Sequence, residues 1–259
     1  MTINTYLSTL ATSLVLSEEE KDKINKSIET LKLRLSYYFS DVVEKKVFGS
    51  YERVTILPRR ADSNSDVDLM VVFSNPNNHK PQSFLNRLKS FVENYYSKSE
   101  IYQSSPTIVL ELNHIKFELV PAQKVYSSYY IPNGPSEWMY TNPNGLSTDA
   151  LEANRDNSYR LKPVIRLLKL WNIHHNSRAF TSYYLEKRLV EQLKYAYFSC
   201  SSYLDYVKTA FTELKALADR VSSTRIDAAL VYISVAEQYE KEGKSNDALS
   251  WIKDVFPEV

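Results

Sequence analysis

Between Asp66 and Phe73 the chain reads Asp-Val-Asp-Leu-Met-Val-Val-Phe, and this octet constrains the fold more than any other stretch. It begins as polar/apolar alternation and ends as an unbroken apolar run. Alternation suits a strand with one open face, and a continuous run suits a strand covered on both faces. The octet is therefore predicted to be a central strand whose N-terminal end carries two carboxylates out of the core. Residues two apart on a strand project to the same side, so Asp66 and Asp68 point together while Val67 turns inward.

Around this strand the pattern runs helix, mixed sheet, helices. Ser17 stands as an N-cap before Glu18, Glu19 and Glu20, and Ile24, Ile28, Leu31, Leu35 and Phe39 recur at helical spacing. A long amphipathic helix follows from that spacing. Residues 42–48 are rich in β-branched side chains, and Gly49-Ser50 breaks the chain before a short helix or turn. A helix is predicted over 84–96. TIVLEL and IKFELVPA, separated by Asn113-His114, read as a β-hairpin. The proline- and glycine-bearing stretch 126–145 reads as a loop crossing to a second lobe, with room for one more strand. Helices are predicted over 147–156, 160–175, 181–198, 201–219, 223–241 and 245–254. The fold class is thus α+β, in two domains, 1–140 and 141–259.

Composition excludes more than it specifies. A net charge of +1 with 43% apolar residues is ordinary for a globular chain. The basic residues of the first long helix alternate with acids, so strong nucleic-acid binding is not expected. The longest apolar runs fall far short of a bilayer, and the start lacks a basic segment leading into a sustained apolar one, so no membrane span and a cytoplasmic location are expected. Four glycines argue against folds built on glycine-rich phosphate loops. Gly243-Lys244-Ser245 imitates the end of such a loop, but the required earlier glycine is Gln238 and no strand precedes it. His174-His175 and the lone Cys200 lack the spacing of a zinc site.

Two carboxylates side by side repel, and each resists ionisation beside the other unless a cation lies between them. Mg²⁺ resolves that conflict with oxygen ligands. A third carboxylate on a neighbouring strand would let two ions act together, one on an attacking hydroxyl and one on a triphosphate. Glu118, alternating with apolar Phe117 and Leu119, is the candidate, and Glu111 on the preceding strand is its competitor. Lys162, Arg166 and Lys169 fall at helical spacing on one stripe that would suit a triphosphate.

Gly49-Ser50-Tyr51-x-Arg53-x-Thr55, then Asp66-x-Asp68, then Glu118 three residues before Pro121-Ala122, resembles the nucleotidyltransferase core of the DNA polymerase β superfamily. Within it the chain is most similar to bacterial cyclic-oligonucleotide synthases (CD-NTases), relatives of cyclic GMP-AMP synthase and 2′-5′-oligoadenylate synthetase. Lys162-Pro163-Val164-Ile165-Arg166-Leu167-Leu168-Lys169-Leu170-Trp171-Asn172 and Thr181-Ser182-Tyr183-Tyr184-Leu185-Glu186 resemble that group's helical lobe. The resemblance implies a polymerase β-like mixed sheet with a C-terminal helical lobe that completes a nucleotide cleft. It also implies catalytic, metal-holding Asp66, Asp68 and Glu118, the last where the group usually has aspartate. Gly49 and Ser50, with Lys169 and Ser182, are implied as phosphate contacts. The implied cofactor is a pair of Mg²⁺ ions, replaceable by Mn²⁺. The implied activity joins nucleoside triphosphates into a cyclic or linear messenger that a downstream effector protein reads in antiphage defence. Transfer of one nucleotide to a protein, tRNA or small molecule, and an inactive nucleotide or RNA sensor, are the alternative readings.

Overall fold

The computed structural model describes residues 1–259, which separate into two compact units, each assembled from discontinuous stretches of chain. One unit comprises Leu16–Arg53 and Asn64–Ser147, and the other comprises Met1–Val15, Val54–Ser63 and Thr148–Val259. This differs from the expected division at residue 140. The first fifteen residues and a ten-residue excursion belong with the helical unit. The reason lies in a helix that the sequence reading did not anticipate, α1 (Ile3–Ser13), capped by the Thr2 hydroxyl. Its buried Ile3, Tyr6, Leu7 and Leu10 form an apolar stripe that packs within the helical unit.

The sheet unit begins with α2 (Glu18–Tyr38), whose Ser17 and Glu20 form a reciprocal capping box and whose Ile24, Ile28, Leu31 and Leu35 are buried, as their spacing predicts. Then come β1 (Val42–Phe48), the four-residue α3 (Gly49–Glu52), β2 (Asp66–Phe73), α4 (Pro81–Tyr95), β3 (Glu100–Ser104), β4 (Thr107–Glu111), β5 (Lys116–Val125), β6 (Ser128–Asn133) and β7 (Glu137–Thr141). The strands form one mixed sheet in the order β1-β2-β5-β4-β3, with β6 added to β5 and β7 to β6. Only β2 and β5 run parallel. The expected hairpin of β4 and β5 is present. The stretch expected as a crossing loop instead folds into the β6–β7 hairpin, and β3 was not anticipated.

One face of the sheet is closed by aromatic packing. Phe73 meets Phe84 of α4 at 4.9 Å and Phe39 at 5.2 Å between ring centroids. The Arg87 guanidinium lies 4.8 Å from the Phe73 ring centre and 5.0 Å from that of Phe39 while pairing with Asp41 at 2.8 and 2.5 Å. On the other face, Met70, Val72 and Ala122 form a small core with Phe48, Tyr129 and Ile131. Beyond Leu69, β2 is therefore covered on both sides, which accounts for the unbroken apolar run. Only its first residues leave side chains partly open, and these are Asp66 and Asp68.

The helical unit continues with α5 (Gly145–Asp156), α6 (Leu161–His174), α7 (Ser182–Leu193), α8 (Tyr203–Lys215), α9 (Arg220–Lys241) and α10 (Ser245–Lys253). The helix expected over 181–198 ends at Leu193 and is followed by a separate 3₁₀ turn at Ala196–Phe198. α9 starts earlier than expected because Asp219 caps it, accepting the Ser222 N–H at 2.7 Å. Gly243, at φ +77°, ends α9 in a Schellman motif. Its N–H reaches the Glu240 carbonyl at 3.0 Å, and the Lys244 N–H reaches Tyr239 at 2.9 Å. The phosphate-loop imitation at this place is a helix terminus. No helix is long and apolar enough to cross a membrane.

Candidate active site

The acidic residues are set by strand register. Parallel pairing of β2 with β5 puts Asp66 beside Lys116 and Asp68 beside Glu118. Antiparallel pairing of β4 with β5 puts Val109 beside Glu118 and Glu111 beside Lys116. Directly paired residues share a face of the sheet, so Asp66, Asp68, Lys116, Glu118 and Glu111 all project to one side. Glu118 neighbours Asp68 one strand away. Glu111 is two strands from Asp66, at about twice the ~4.8 Å strand spacing. That spacing favours Glu118 over its competitor as the third carboxylate.

Gly49 follows the last residue of β1, where Phe48 pairs with Asp68. Its φ is +75°, and a Cβ built there would lie 1.8 Å from Asp68 Oδ2. The backbone at Gly49 thus runs directly against the Asp68 carboxylate, and no side chain fits between them. Ser50, in the first turn of α3, is half-buried.

Electrostatics mark this face as strained. Burial, followed by the nearby Asp66 charge, pushes the Glu118 carboxyl above its ordinary 4.5, although Lys116 and a hydrogen bond from Thr107 act the other way. The Lys116 ammonium lies 3.3 Å from Asp66 Oδ2 and 3.5 Å from Glu118 Oε1. Burial disfavours its charge, but the two acids outweigh that and raise its pKa. Lys116 was missed in the sequence, although its place two residues before Glu118 puts it on the same face. No group of three or more acidic, histidine or cysteine side chains converges closely enough to form a ready ion cage. The sheet does supply an all-oxygen donor set on adjacent strands, and that chemistry fits a hard cation such as Mg²⁺.

The residues expected on α6 behave otherwise. Lys169 is buried, paired with Glu186 of α7, and donates to the Thr55 carbonyl at 3.0 Å, while the Thr55 hydroxyl donates to Glu186 at 2.7 Å. Arg166 is buried too, donating to the Val54 carbonyl at 3.0 Å and the Ala11 carbonyl at 3.4 Å. Burial draws its pKa down to about 10. The open basic stripe expected over Lys162, Arg166 and Lys169 is therefore replaced by a closed network. Two of its members hold Val54, which has φ +58°, and Thr55. Thr181, rather than Ser182, caps α7, and Ser182 is exposed on its first turn. Asn172, also unforeseen, exchanges two hydrogen bonds with the Phe180 backbone, at 2.8 and 3.2 Å, and so fixes the approach to α7.

A mixed sheet that carries paired aspartates on one strand and a third acid on its parallel neighbour, joined to a helical region, is the polymerase β-like nucleotidyltransferase fold. The family described as Second Messenger Oligonucleotide or Dinucleotide Synthetase domain matches residues 1–154, more than half of the sequence, and the chain belongs to that family. The "Probable cyclic nucleotide synthase" of Bacillus cereus strain VD146 is 25% identical over 189 residues, covering 62% of this chain and 57% of its own. The cyclic AMP-AMP-AMP synthase of an Acinetobacter strain is 25% identical over 54% of this chain and 42% of its own length. The chain thus spans about half the length of these curated relatives. The cyclic AMP-GMP synthase DncV of Vibrio cholerae, solved with a linear intermediate, superposes with a TM-score of 0.77. That match covers 96% of this chain and 93% of DncV at 12% identity, a likeness of fold.

Proposed function

We propose that this chain is a template-independent nucleotidyltransferase that joins nucleoside triphosphates into a short oligonucleotide messenger, releasing pyrophosphate. The observation that carries the reading is the register that sets Asp68 beside Glu118, with Asp66 two residues before Asp68 and the Gly49 backbone against the Asp68 carboxylate. In this reading Asp66, Asp68 and Glu118 hold two Mg²⁺ ions, for which Mn²⁺ can substitute. Bound there, the ions would activate an attacking hydroxyl and neutralise the triphosphate. Gly49, whose backbone lies against the Asp68 carboxylate, and Ser50, the next residue, are the phosphate contacts at this strand end. Ser182, exposed at the start of α7, stays in the proposal as a phosphate contact. Lys169 does not, because its charge is already committed to Glu186.

The named products of the relatives, cyclic AMP-AMP-AMP and cyclic AMP-GMP, favour a cyclic oligonucleotide over transfer of a single nucleotide. A messenger of that kind acts through an effector protein that binds it. The test is to incubate the protein with Mg²⁺ or Mn²⁺ and each nucleoside triphosphate, singly and mixed, beside an Asp66→Ala/Asp68→Ala control, and to resolve products by mass spectrometry. Pyrophosphate with an oligonucleotide, absent in the control, is the expected result. Turnover that persists in the control would sink the assignment of the site.

A further inference from the structure

Lys116 occupies an unusual place for a salt-bridging lysine. It touches not one acid but two, Asp66 at 3.3 Å and Glu118 at 3.5 Å, and both belong to the proposed metal-binding set. Its side chain is only 14% exposed, against 30% for Asp66 and 25% for Glu118, so the three charges meet in a half-enclosed setting. Register holds it there: Lys116 is the cross-strand partner of Asp66 and lies two residues before Glu118 on the same strand face. An ordinary surface pair is exposed and contributes little. This ammonium sits between two acids that would otherwise repel each other.

A divalent ion bound by Asp66 and Glu118 would draw on the same two carboxylates, through oxygens at about 2.0–2.1 Å. An ammonium within hydrogen-bonding reach of both oxygens and an ion bound to them would be like charges in contact, in surroundings less screening than water. They compete for those carboxylates. Lysine, unlike arginine, carries a compact charge on a flexible four-carbon stem, which lets the head leave while the backbone stays in the sheet.

We infer that Lys116 is a resident counter-ion that holds the carboxylates together before metal arrives and must swing aside for metal to bind, so that it sets the metal concentration at which the site fills. The inference rests on the two-metal reading above. Lys116 acts through Asp66 and Glu118 and is a positioning residue.

Manganese binding, followed by the loss of the free-Mn²⁺ paramagnetic resonance signal without nucleotide present, tests it directly. Lys116→Met should bind Mn²⁺ about tenfold or more tightly, the scale expected for removing one like charge from a half-buried site. Without metal the same variant should melt at a lower temperature than the parent, and Lys116→Arg, whose planar fork leaves the carboxylates less readily, should bind Mn²⁺ more weakly than the parent. An independent reading uses the unaltered protein: acylation of Lys116 by an amine-reactive ester, mapped by mass spectrometry, should rise as Mg²⁺ or Mn²⁺ is added. Equal or weaker Mn²⁺ binding by Lys116→Met overturns the inference, as does labelling that stays flat or falls on metal addition. If parent and Lys116→Met both bind no Mn²⁺, the metal-site reading falls together with it. If the parent binds and the Met variant binds no better, only the role of Lys116 falls.

Discussion

Two of the places where lysine meets glutamate in this protein differ in kind. In the helical unit Lys169 and Glu186 form a closed pair, with side chains 6% and 1% exposed and Thr55 bonded to both. In the sheet unit Lys116 lies between two carboxylates, Asp66 and Glu118, and Asp68 pairs with Glu118 across the strands. The first arrangement is sealed from solvent. The second gathers several acids at a partly open strand end. A buried pair fixes structure, whereas a half-open cluster of acids on adjacent strands suits a cation.

Perturbing the two regions separately should therefore separate activity from stability. The largest effect expected is on Asp68: Asp68→Asn should lower the rate of pyrophosphate release by about a thousandfold or more, the scale of losing several kcal/mol of metal-mediated transition-state stabilisation. Its thermal midpoint should stay level or rise, since the change removes repulsion. The closed pair should do the opposite. Glu186→Gln leaves the Lys169 ammonium buried without its counter-charge and should cost about 3–5 kcal/mol of unfolding free energy in a guanidinium titration. Lys169→Met with Glu186→Leu should recover most of that loss. If Glu186→Gln proves as stable as the parent, the contrast between the two regions collapses.

A smaller, sharper test lies at Gly49. Gly49→Ala puts a methyl group where Asp68 Oδ2 now lies and forces an L residue to φ +75°. Stability should fall by about 1–2 kcal/mol, with turnover falling far more steeply than that loss accounts for. The smallest effect concerns an intermediate case, Asp41 with Arg87, about one-third exposed on each side. The Arg87 hydrogen bonds, with its charge adding to them, hold the Asp41 carboxyl below its ordinary 3.8 against the pull of burial. A depressed folded pKa adds stability that is fully present above 3.8 and is lost as pH falls through the lower folded value. Asp41→Asn should flatten the acid limb of a stability–pH curve by less than about 1 kcal/mol.

Much of this contrast is legible in the sequence, and the remainder fails for identifiable reasons. The octet 66–73 carries the central strand, the placement of its acids and the covering of its far end, because period-2 alternation is a local signal. Glu118 follows from the same logic, and Lys116 was available to it, two residues away. The closed network was not legible. Helical spacing places Lys162, Arg166 and Lys169 on one stripe, but it cannot say that Glu186, Thr55 and the carbonyl of Val54 will arrive to bury two of them. The α1 stripe of Ile3, Tyr6, Leu7 and Leu10 has helical spacing but lacks the acidic first turn that marks α2.

That first helix also bears on how the chain comes to be folded. The Tyr6 hydroxyl donates to the Phe256 carbonyl at 2.6 Å, a bond spanning 250 positions. As the protein leaves the ribosome, the last strand of the sheet unit, ending at Thr141, emerges more than a hundred residues ahead of Phe256. The acid-bearing sheet can assemble early, while the apolar stripe of α1 waits for α6, then α8, and last the Phe256 carbonyl to emerge. Throughout that interval α1 is the segment most open to chaperones and to mispairing with other nascent chains.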